Sequence, residues 1–389
     1  MAKHAKLSAS GSKRWLSCPP SAQLELQFPD STSEFAREGS YAHELGEHKI
    51  KPYVLPVSKS QREAEYEKLQ KNKFYSADLE MHVDTYVDFV KERINAAYAR
   101  TKDAVIMLEQ RLDFSAWVPE GFGTGDVVIV ADGYVEVIDL KFGKGVPVDA
   151  EGNTQMRLYG LGAYNDLSML YDINEVRMTI CQPRLDSIST DVITADDLLK
   201  WAEETVKPIA AMAMKGEGEF AAGDHCRFCR AKATCKARAD HNLELAKFDF
   251  MDPLLLTDDE IGEILVRLAE FDKWSKDITD YAFDQALNHG KKWPGWKIVE
   301  GKSNRAYTDE KAVATTLTGA GYEEAKIYKP KEILGITAME AAITKKKFNE
   351  LLSSLVIKPT GKPTLVQESD KRPEISSVQS AVNDFSETA

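Results

Sequence analysis

Apolar positions along the chain change period several times, and the changes outline its elements. An amphipathic stretch predicts a helix over 34–49. A longer helical region over 61–100 carries Tyr75, Leu79, Tyr86, Phe89, Val90 and Ile94 as its apolar positions. Residues 104–141 switch to β-branched runs with period-two alternation, the pattern of strands. A helix is expected over 153–171 with Thr154 as its N-cap, then a strand over 176–185. Thr194-Ala-Asp-Asp opens a further helix to about Lys215, with Asp197 at the acidic third position. Small residues over 216–224 interrupt the pattern before a cysteine-rich segment. Beyond Leu256 the chain predicts a long helix over 257–288, a short strand over 296–299, and two or three shorter helices within 309–355. From about Lys358 it is rich in Pro, Ser, Thr and charge, which predicts a flexible tail. The order implies an α/β core over 1–245, a smaller helical or α+β domain over 246–357, and a tail over 358–389.

The most informative segment is Gly125-Asp126 followed by a β-rich run to Ala131-Asp132-Gly133-Tyr134, and a second run ending Asp139-Leu140-Lys141. Asp-Gly between two such runs predicts a two-residue hairpin loop. That loop fixes the register: Ala131 faces Tyr134, Val130 faces Val135, Val128 faces Val137, and Asp126 faces Asp139. Lys141, two residues beyond Asp139, shares its face. Apart from Glu136 the strands are apolar on both faces, so the hairpin belongs in a covered central sheet. Two facing carboxylates repel, and a divalent cation removes the conflict; oxygen ligands suit Mg²⁺ or Mn²⁺. The alternative is an acid pair at a sheet end with a solvated lysine.

Two helices add to this cluster. His43 and Glu47 are four residues apart in Gly39-Ser-Tyr-Ala-His43-Glu44-Leu-Gly-Glu47, so they share a helix face. Gln155 and Tyr159 lie one turn apart on the helix after the hairpin. Each pair alone also fits an ordinary amphipathic helix.

At 389 residues the chain has room for two or three domains, and its proportions, 43% apolar and 29% charged, are globular. Its apolar runs fall far short of the ~18–20 residues of a bilayer span. The N-terminus carries charge without an apolar stretch, so no secretory signal and a reducing cytoplasm are expected. Net charge is −12, which argues against coating nucleic acid by bulk attraction but allows a local basic channel. Of five cysteines, Cys226, Cys229 and Cys235 are closely spaced, and Cys18 is the candidate fourth ligand. In a reducing compartment this spacing reads as metal binding, with zinc on the three cysteines and His225 or His241 as fourth ligand as one alternative, and free thiols as the plain one. Cys181, within a predicted strand, reads as a core residue. Between Cys226 and Arg238 stand Arg227, Arg230, Lys232, Lys236 and Arg238 and no acid. This basic run reads as a contact to nucleic-acid phosphates, or as a solvated helix face.

Taken together, Gly39 with His43, Gly125-Asp126, Asp139-x-Lys141, and Gln155 with Tyr159 resemble, in order, the motifs of the PD-(D/E)xK nuclease superfamily in its RecB-like branch, over roughly residues 14–240. The resemblance implies a restriction-endonuclease-like core, a central mixed sheet flanked by helices. It implies that His43, Asp126, Asp139 and the Leu140 carbonyl hold the metal. Lys141 would serve the attacking water, and Gln155 and Tyr159 would shape the DNA end of the site. Glu44 and Glu47 have no fixed counterpart. One early and three late cysteines resemble the iron–sulfur staple of AddB-type nucleases, which implies a [4Fe–4S] cluster on Cys18, Cys226, Cys229 and Cys235. Residues 295–305 and 361–373 resemble an uncharacterised phage-associated family of the same group. The activity implied is a Mg²⁺- or Mn²⁺-dependent DNA exonuclease in phage or prophage recombination. It would work in the bacterial cytoplasm on a linear duplex end or a single strand, with a recombination or single-strand-binding protein as a possible partner. A non-catalytic DNA-binding scaffold is the alternative, and a zinc-stapled regulator a third. No Walker A sequence is present, so no ATP motor is expected in this chain.

Overall fold

The stretch predicted as strand over 104–141 folds as three antiparallel strands, β1 (Val105–Asp113), β2 (Phe122–Ala131) and β3 (Gly133–Leu140). The structure, a computed structural model, describes residues 5–29, 34–244, 257–299, 309–320, 345–352 and the positions 336, 355 and 356. The expected tail beyond Lys358 and the segment 361–373 lie outside the described residues, as do residues 300–305. Two units divide the chain, residues 1–284 and 285–389.

In the first unit the five strands lie in chain order, β1-β2-β3-β4-β5, with β4 at Ile173–Gln182 and β5 at Ser187–Thr194. Only β3 and β4 run parallel, so the sheet is mixed, and α6 (Thr154–Leu167) makes the crossover between them. The hairpin register is the expected one: Ala131 pairs with Tyr134, Val130 with Val135 and Val128 with Val137. Gly133 takes φ +80° in the turn, a conformation that side chains with a Cβ avoid.

Period two along β2 and β3 sends alternate residues into two cores. Val128, Val130, Val135 and Val137 pack with Met156, Leu158 and Leu161 of α6, and with Leu198 of α7 (Ala195–Trp201) and Ala210 of α8 (Lys207–Lys215). Val127, Ile129 and Ile138 pack on the other face with Leu45 of α3 (Glu34–Val54) and with Val83, Tyr86, Val90 and Ile94 of α5 (Ala77–Arg100). Each such buried aliphatic side chain contributes about 1.5–3 kcal/mol relative to exposure. The unit is therefore an α/β/α arrangement, compatible with a restriction-endonuclease-like core. Glu136, fully buried in β3, accepts from Arg93 of α5 at 2.8 and 3.0 Å and from Thr179 Oγ1 of β4 at 3.0 Å. Three donors replace the water that this carboxylate gives up.

Several expectations about local structure change. The N-cap of α6 is Asn153, whose side chain accepts from the Gln155 and Met156 N–H groups; Thr154 is already helical and its hydroxyl meets Ser12 Oγ at 2.7 Å. The strand expected over 176–185 starts and ends three residues earlier, because Pro183 opens a single 3₁₀ turn. Strand β5 carries Ile188 and Val192 outward and only Ile193 against the core, so most of its apolar positions lie on the exposed face. Thr194 caps α7 as expected, accepting from Asp197 N, and the helix passes through a π turn over Ala202–Val206 before α8. Residues 296–299 form no strand: Trp296 and Val299 are exposed and no described strand pairs with them.

Most of α10 (Asp258–His289) belongs to the first unit, whereas the sequence reading placed it beyond the boundary at 245. Asp277 of α10 meets Lys232 and Arg238, and Arg267 meets Glu244. The second unit contains α11 (Glu310–Gly319) and α12 (Lys345–Leu352). No described helix is long and apolar enough to cross a membrane.

Candidate functional site

Asp126 is the residue next to the last β2–β3 pair, Val127 with Ile138, so Asp139 follows opposite it. Its carboxylate Oδ2 accepts from the Leu140 N–H at 2.7 Å, which anchors the side chain to the neighbouring strand. The other oxygen, Oδ1, lies 3.0 Å from His43 Nδ1. Asp139 is 3% exposed and pairs with Ile180 of β4, and the Lys141 N–H continues that ladder to Cys181 O at 2.9 Å. The central strand therefore sets both residues of the Asp139-x-Lys141 motif.

Lys141 Nζ lies 2.8 Å from Asp139 Oδ2 and donates to Gln155 Oε1 at 3.1 Å. Gln155 Nε2 in turn donates to Tyr159 Oη at 3.1 Å. The contact of Asp139 Oδ2 with Lys141 is an ion pair without hydrogen-bond alignment, so this buried oxygen has a charge beside it but no directed donor. Burial, with the Asp126 charge added, pushes the Asp139 carboxyl up, and Lys141 and His43 oppose the shift. Burial lowers the His43 pKa, but Asp126, by charge and hydrogen bond, and Asp139 outweigh it and bring it to about 9.

One candidate residue has no counterpart among the sequence motifs. Along β1, Leu108 pairs with Val127 and Gln110 with Gly125, so Glu109 stands opposite Asp126 without pairing. Glu109 has φ +47°, left-handed for a residue with a Cβ, and ligand atoms of His43, Glu109 and Asp126 all lie within 4.8 Å of one another. Its outer edge is open to solvent, yet the cleft walls desolvate the carboxyl; desolvation first and the Asp126 charge next push it up to about 7. The β1–β2 register that places it is set in the structure and has no tight turn to mark it in the sequence. Glu109, Asp126 and Asp139 thus form one row across three adjacent strands. The row lies where α3 brings His43 from one helical layer and α6 brings Gln155 and Tyr159 from the other. On α3, Glu47 joins His43, Glu109 and Asp126 around a small cleft, whereas Glu44 is exposed.

Gly123 explains the position of Tyr159. A Cβ at Gly123 would come 2.4 Å from a ring carbon of Tyr159, so the phenol lies flush on the β2 backbone. Tyr159 is buried, and its hydroxyl is held at Gln155.

Cysteines from two distant segments of the chain line one place in the first unit. Cys18 caps α1 (Ser12–Ser17), Cys226 lies within the 3₁₀ turn Asp224–Phe228, and Cys229 caps that turn. Gln23 Nε2 donates to Met214 O at 2.6 Å, and the Arg230 N–H to Glu25 Oε1 at 2.9 Å, which ties the segments together. One small cavity is lined by Cys18, Cys226, Cys229 and Cys235 together with Ser21 and His225. Among the described residues no three thiol sulfurs lie within 4.8 Å of one another. Burial pushes the Cys229 thiol up to about 11. His241 is exposed and does not line the cavity. Cys181 is fully buried in β4.

The basic run divides in two. Arg238, expected to contact nucleic acid, is 1% exposed and bonded to Glu270 Oε1 at 2.6 and 2.9 Å and to Asp277 Oδ2 at 2.6 Å; it is a structural ion-pair residue, not a surface contact. Lys232 Nζ meets the same Asp277 at 2.6 Å. Arg227, Arg230 and Lys236 are exposed, and Arg227 stands over the exposed Phe228 ring.

A family model described as a protein of unknown function (DUF2800) matches residues 4–373. The chain belongs to this family. The matched span takes in the candidate site of this DUF2800 protein, from His43 through Glu109, Asp126, Asp139 and Lys141 to Tyr159, and all four cysteines of the cavity. It also spans both units, so the family likeness extends well beyond the sheet-bearing one.

Proposed function

We propose that this chain is a Mg²⁺- or Mn²⁺-dependent deoxyribonuclease of the RecB-like PD-(D/E)xK kind, acting as an exonuclease on linear duplex ends or single strands. The observation that carries the proposal is the carboxylate row Glu109–Asp126–Asp139, with His43 on one side and Lys141 bonded to Gln155 on the other. Three neighbouring carboxylates repel in a poorly solvated cleft, and the raised pKa values of Glu109 and Asp139 record that conflict. The donor set of one imidazole, carboxylate oxygens and an undirected Asp139 oxygen fits a hard divalent cation. His43, Asp126 and Asp139 would hold it, with the Leu140 carbonyl and Glu109 as further ligands. When bound, such a cation supplies positive charge to the scissile phosphate and acidifies the attacking water.

The chain's own residues do the rest. Lys141 is fixed by Asp139 and by Gln155, which leaves an ammonium proton free to hold a water in line with the phosphorus. The water oxygen bonds to phosphorus while the bond to the leaving sugar oxygen breaks. The leaving oxygen takes up a proton, giving one phosphate end and one hydroxyl end. Gln155 and Tyr159 stand beside Lys141 and orient the strand at the site. Exposed Arg227, Arg230 and Lys236 supply phosphate contacts that the net charge of −12 cannot supply in bulk.

The cysteine cavity is proposed to hold a [4Fe–4S] cluster on Cys18, Cys226, Cys229 and Cys235. Four thiols around one cavity support it. Among the described residues no three thiols lie within 4.8 Å of one another, whereas thiolates on a single zinc approach to about 3.8 Å at Zn–S ~2.3 Å. The cluster would staple the two ends of the nuclease unit across more than two hundred residues of chain. The setting proposed is phage or prophage DNA recombination in the bacterial cytoplasm, with a recombination or single-strand-binding protein as partner. The test is incubation of the anaerobically purified chain with end-labelled linear DNA and Mg²⁺ or Mn²⁺. Progressive loss of label that chelation stops supports the reading. Intact DNA in the presence of tight DNA binding supports a non-catalytic scaffold instead.

A further inference from the structure

The cysteine-lined cavity contains one polar group that the surrounding packing leaves unsatisfied. Ser21 is 4% exposed and lines the cavity together with all four cysteines. Its Oγ is buried and has no hydrogen-bond partner, a state shared among the described residues only by Asp139 Oδ2 and Arg157 Nε. Its position is set from the backbone. Cys18-Pro19-Pro20-Ser21 turns so that the Ser21 N–H donates to Cys18 O at 2.9 Å, and Ser21 opens α2 (Ser21–Leu24). The two prolines restrict φ across the turn, so the serine cannot swing away from the cysteine that it follows. A buried hydroxyl in this position calls for an acceptor in the cavity. The neighbouring acceptors that chemistry offers are thiolate or sulfide sulfurs.

We infer that Ser21 Oγ donates a hydrogen bond to a sulfur of the group held by Cys18, Cys226, Cys229 and Cys235, and that this bond raises the group's reduction potential. The inference rests on reading the cavity as an iron–sulfur site. A donor to a cluster sulfur stabilises the more negative, reduced state, and hydrogen bonds to sulfur are among the determinants of cluster potential. Ser21 is a positioning residue here, because it touches the cluster's sulfur and not the DNA.

The experiment compares wild type, Ser21→Ala and Ser21→Thr, each as the full chain purified anaerobically. Iron, sulfide and zinc contents are measured first, and then the midpoint potential by dye-mediated titration. Ser21→Ala is expected to keep the wild-type iron content and to shift the reduced-to-oxidised ratio at fixed potential about tenfold toward the oxidised form, or about 59 mV lower for a one-electron couple. Ser21→Thr, which keeps a hydroxyl, is expected to stay at the wild-type value. Equal potentials in wild type and Ser21→Ala overturn the inference and leave the cluster in place; an ordered water would then be the hydroxyl's partner. Should Ser21→Ala lose its iron, retention in Ser21→Thr supports the hydroxyl, and equal loss in both overturns it. A wild-type chain that carries zinc and no iron refutes the cluster reading itself.

Discussion

His43 and Asp126, 83 residues apart, meet with Nδ1 3.0 Å from Oδ1 and join helix α3 to strand β2 at the end of the sheet. With Glu109 they place three ligand atoms within 4.8 Å. If this is the edge of a cation site, His43→Ala and Glu109→Gln each weaken Mn²⁺ binding about tenfold or more, on the order of 1.4 kcal/mol. Glu44→Gln, on the exposed side of the same helix, leaves it unchanged. Titration of free Mn²⁺ by electron paramagnetic resonance measures all three.

Gly123 lets Tyr159 lie on the β2 backbone, and a Cβ there would overlap the ring at 2.4 Å. Gly123→Ala therefore displaces Tyr159 and loosens its bond to Gln155, which carries Lys141. The expected result is a fall in cleavage rate of about tenfold to a hundredfold, the cost of a misplaced catalytic group. Mn²⁺ affinity is expected to hold, since no cation ligand moves. A cleavage rate equal to wild type in a folded Gly123→Ala protein refutes this role for Tyr159.

The hairpin was legible in the sequence because Asp132-Gly133 fixes loop length, and loop length fixes which residues face each other. The helix motifs were legible through spacing alone. Glu109 was not, because its strand has no tight turn to β2; a longer connection through Phe114–Gly121 leaves the register open from sequence. Strand β5 was missed because two of its three large apolar residues, Ile188 and Val192, point outward, which blurs the usual signal. Arg238 was misread because charge shows in a sequence and burial does not; its acidic partners, Glu270 and Asp277, lie more than thirty residues away on α10.

That pairing makes a separate prediction. Arg238→Ala strips Glu270 of its partner and leaves Asp277 with Lys232 alone, and is expected to cost about 1–3 kcal/mol of stability, read as a lower denaturation midpoint. Arg227→Ala, at an exposed site, leaves the midpoint unchanged and weakens DNA binding with a shallower salt dependence. The opposite assignment of effects contradicts the division of the basic run.

Glu80 on α5 carries a pH prediction. Burial raises its pKa, but Lys49 at 2.6 Å and the hydroxyls of Tyr66 and Tyr75 outweigh it, and the net shift is downward from 4.5. A depressed folded pKa gives stability that is complete above the ordinary glutamate value and is lost as pH falls through the folded one. Glu80→Gln is thus expected to cost about 1–2 kcal/mol at pH 7 and progressively less in acid, where the two proteins converge. Thermal melts across the acid range follow that convergence; a constant difference down to the lowest pH contradicts it.

The central claim assigns cation binding to the carboxylates and water placement to Lys141, and a paired assay separates the two roles. Mn²⁺ affinity and cleavage of end-labelled linear DNA are measured on wild type, Asp126→Asn, Asp139→Asn and Lys141→Ala. The account predicts that the two aspartate variants lose both cation binding and cleavage. Lys141→Ala is expected to keep the cation and lose at least about a hundredfold in rate. Cleavage that persists at the wild-type rate in Asp139→Asn or Lys141→Ala, or wild-type Mn²⁺ affinity in both aspartate variants, would contradict it.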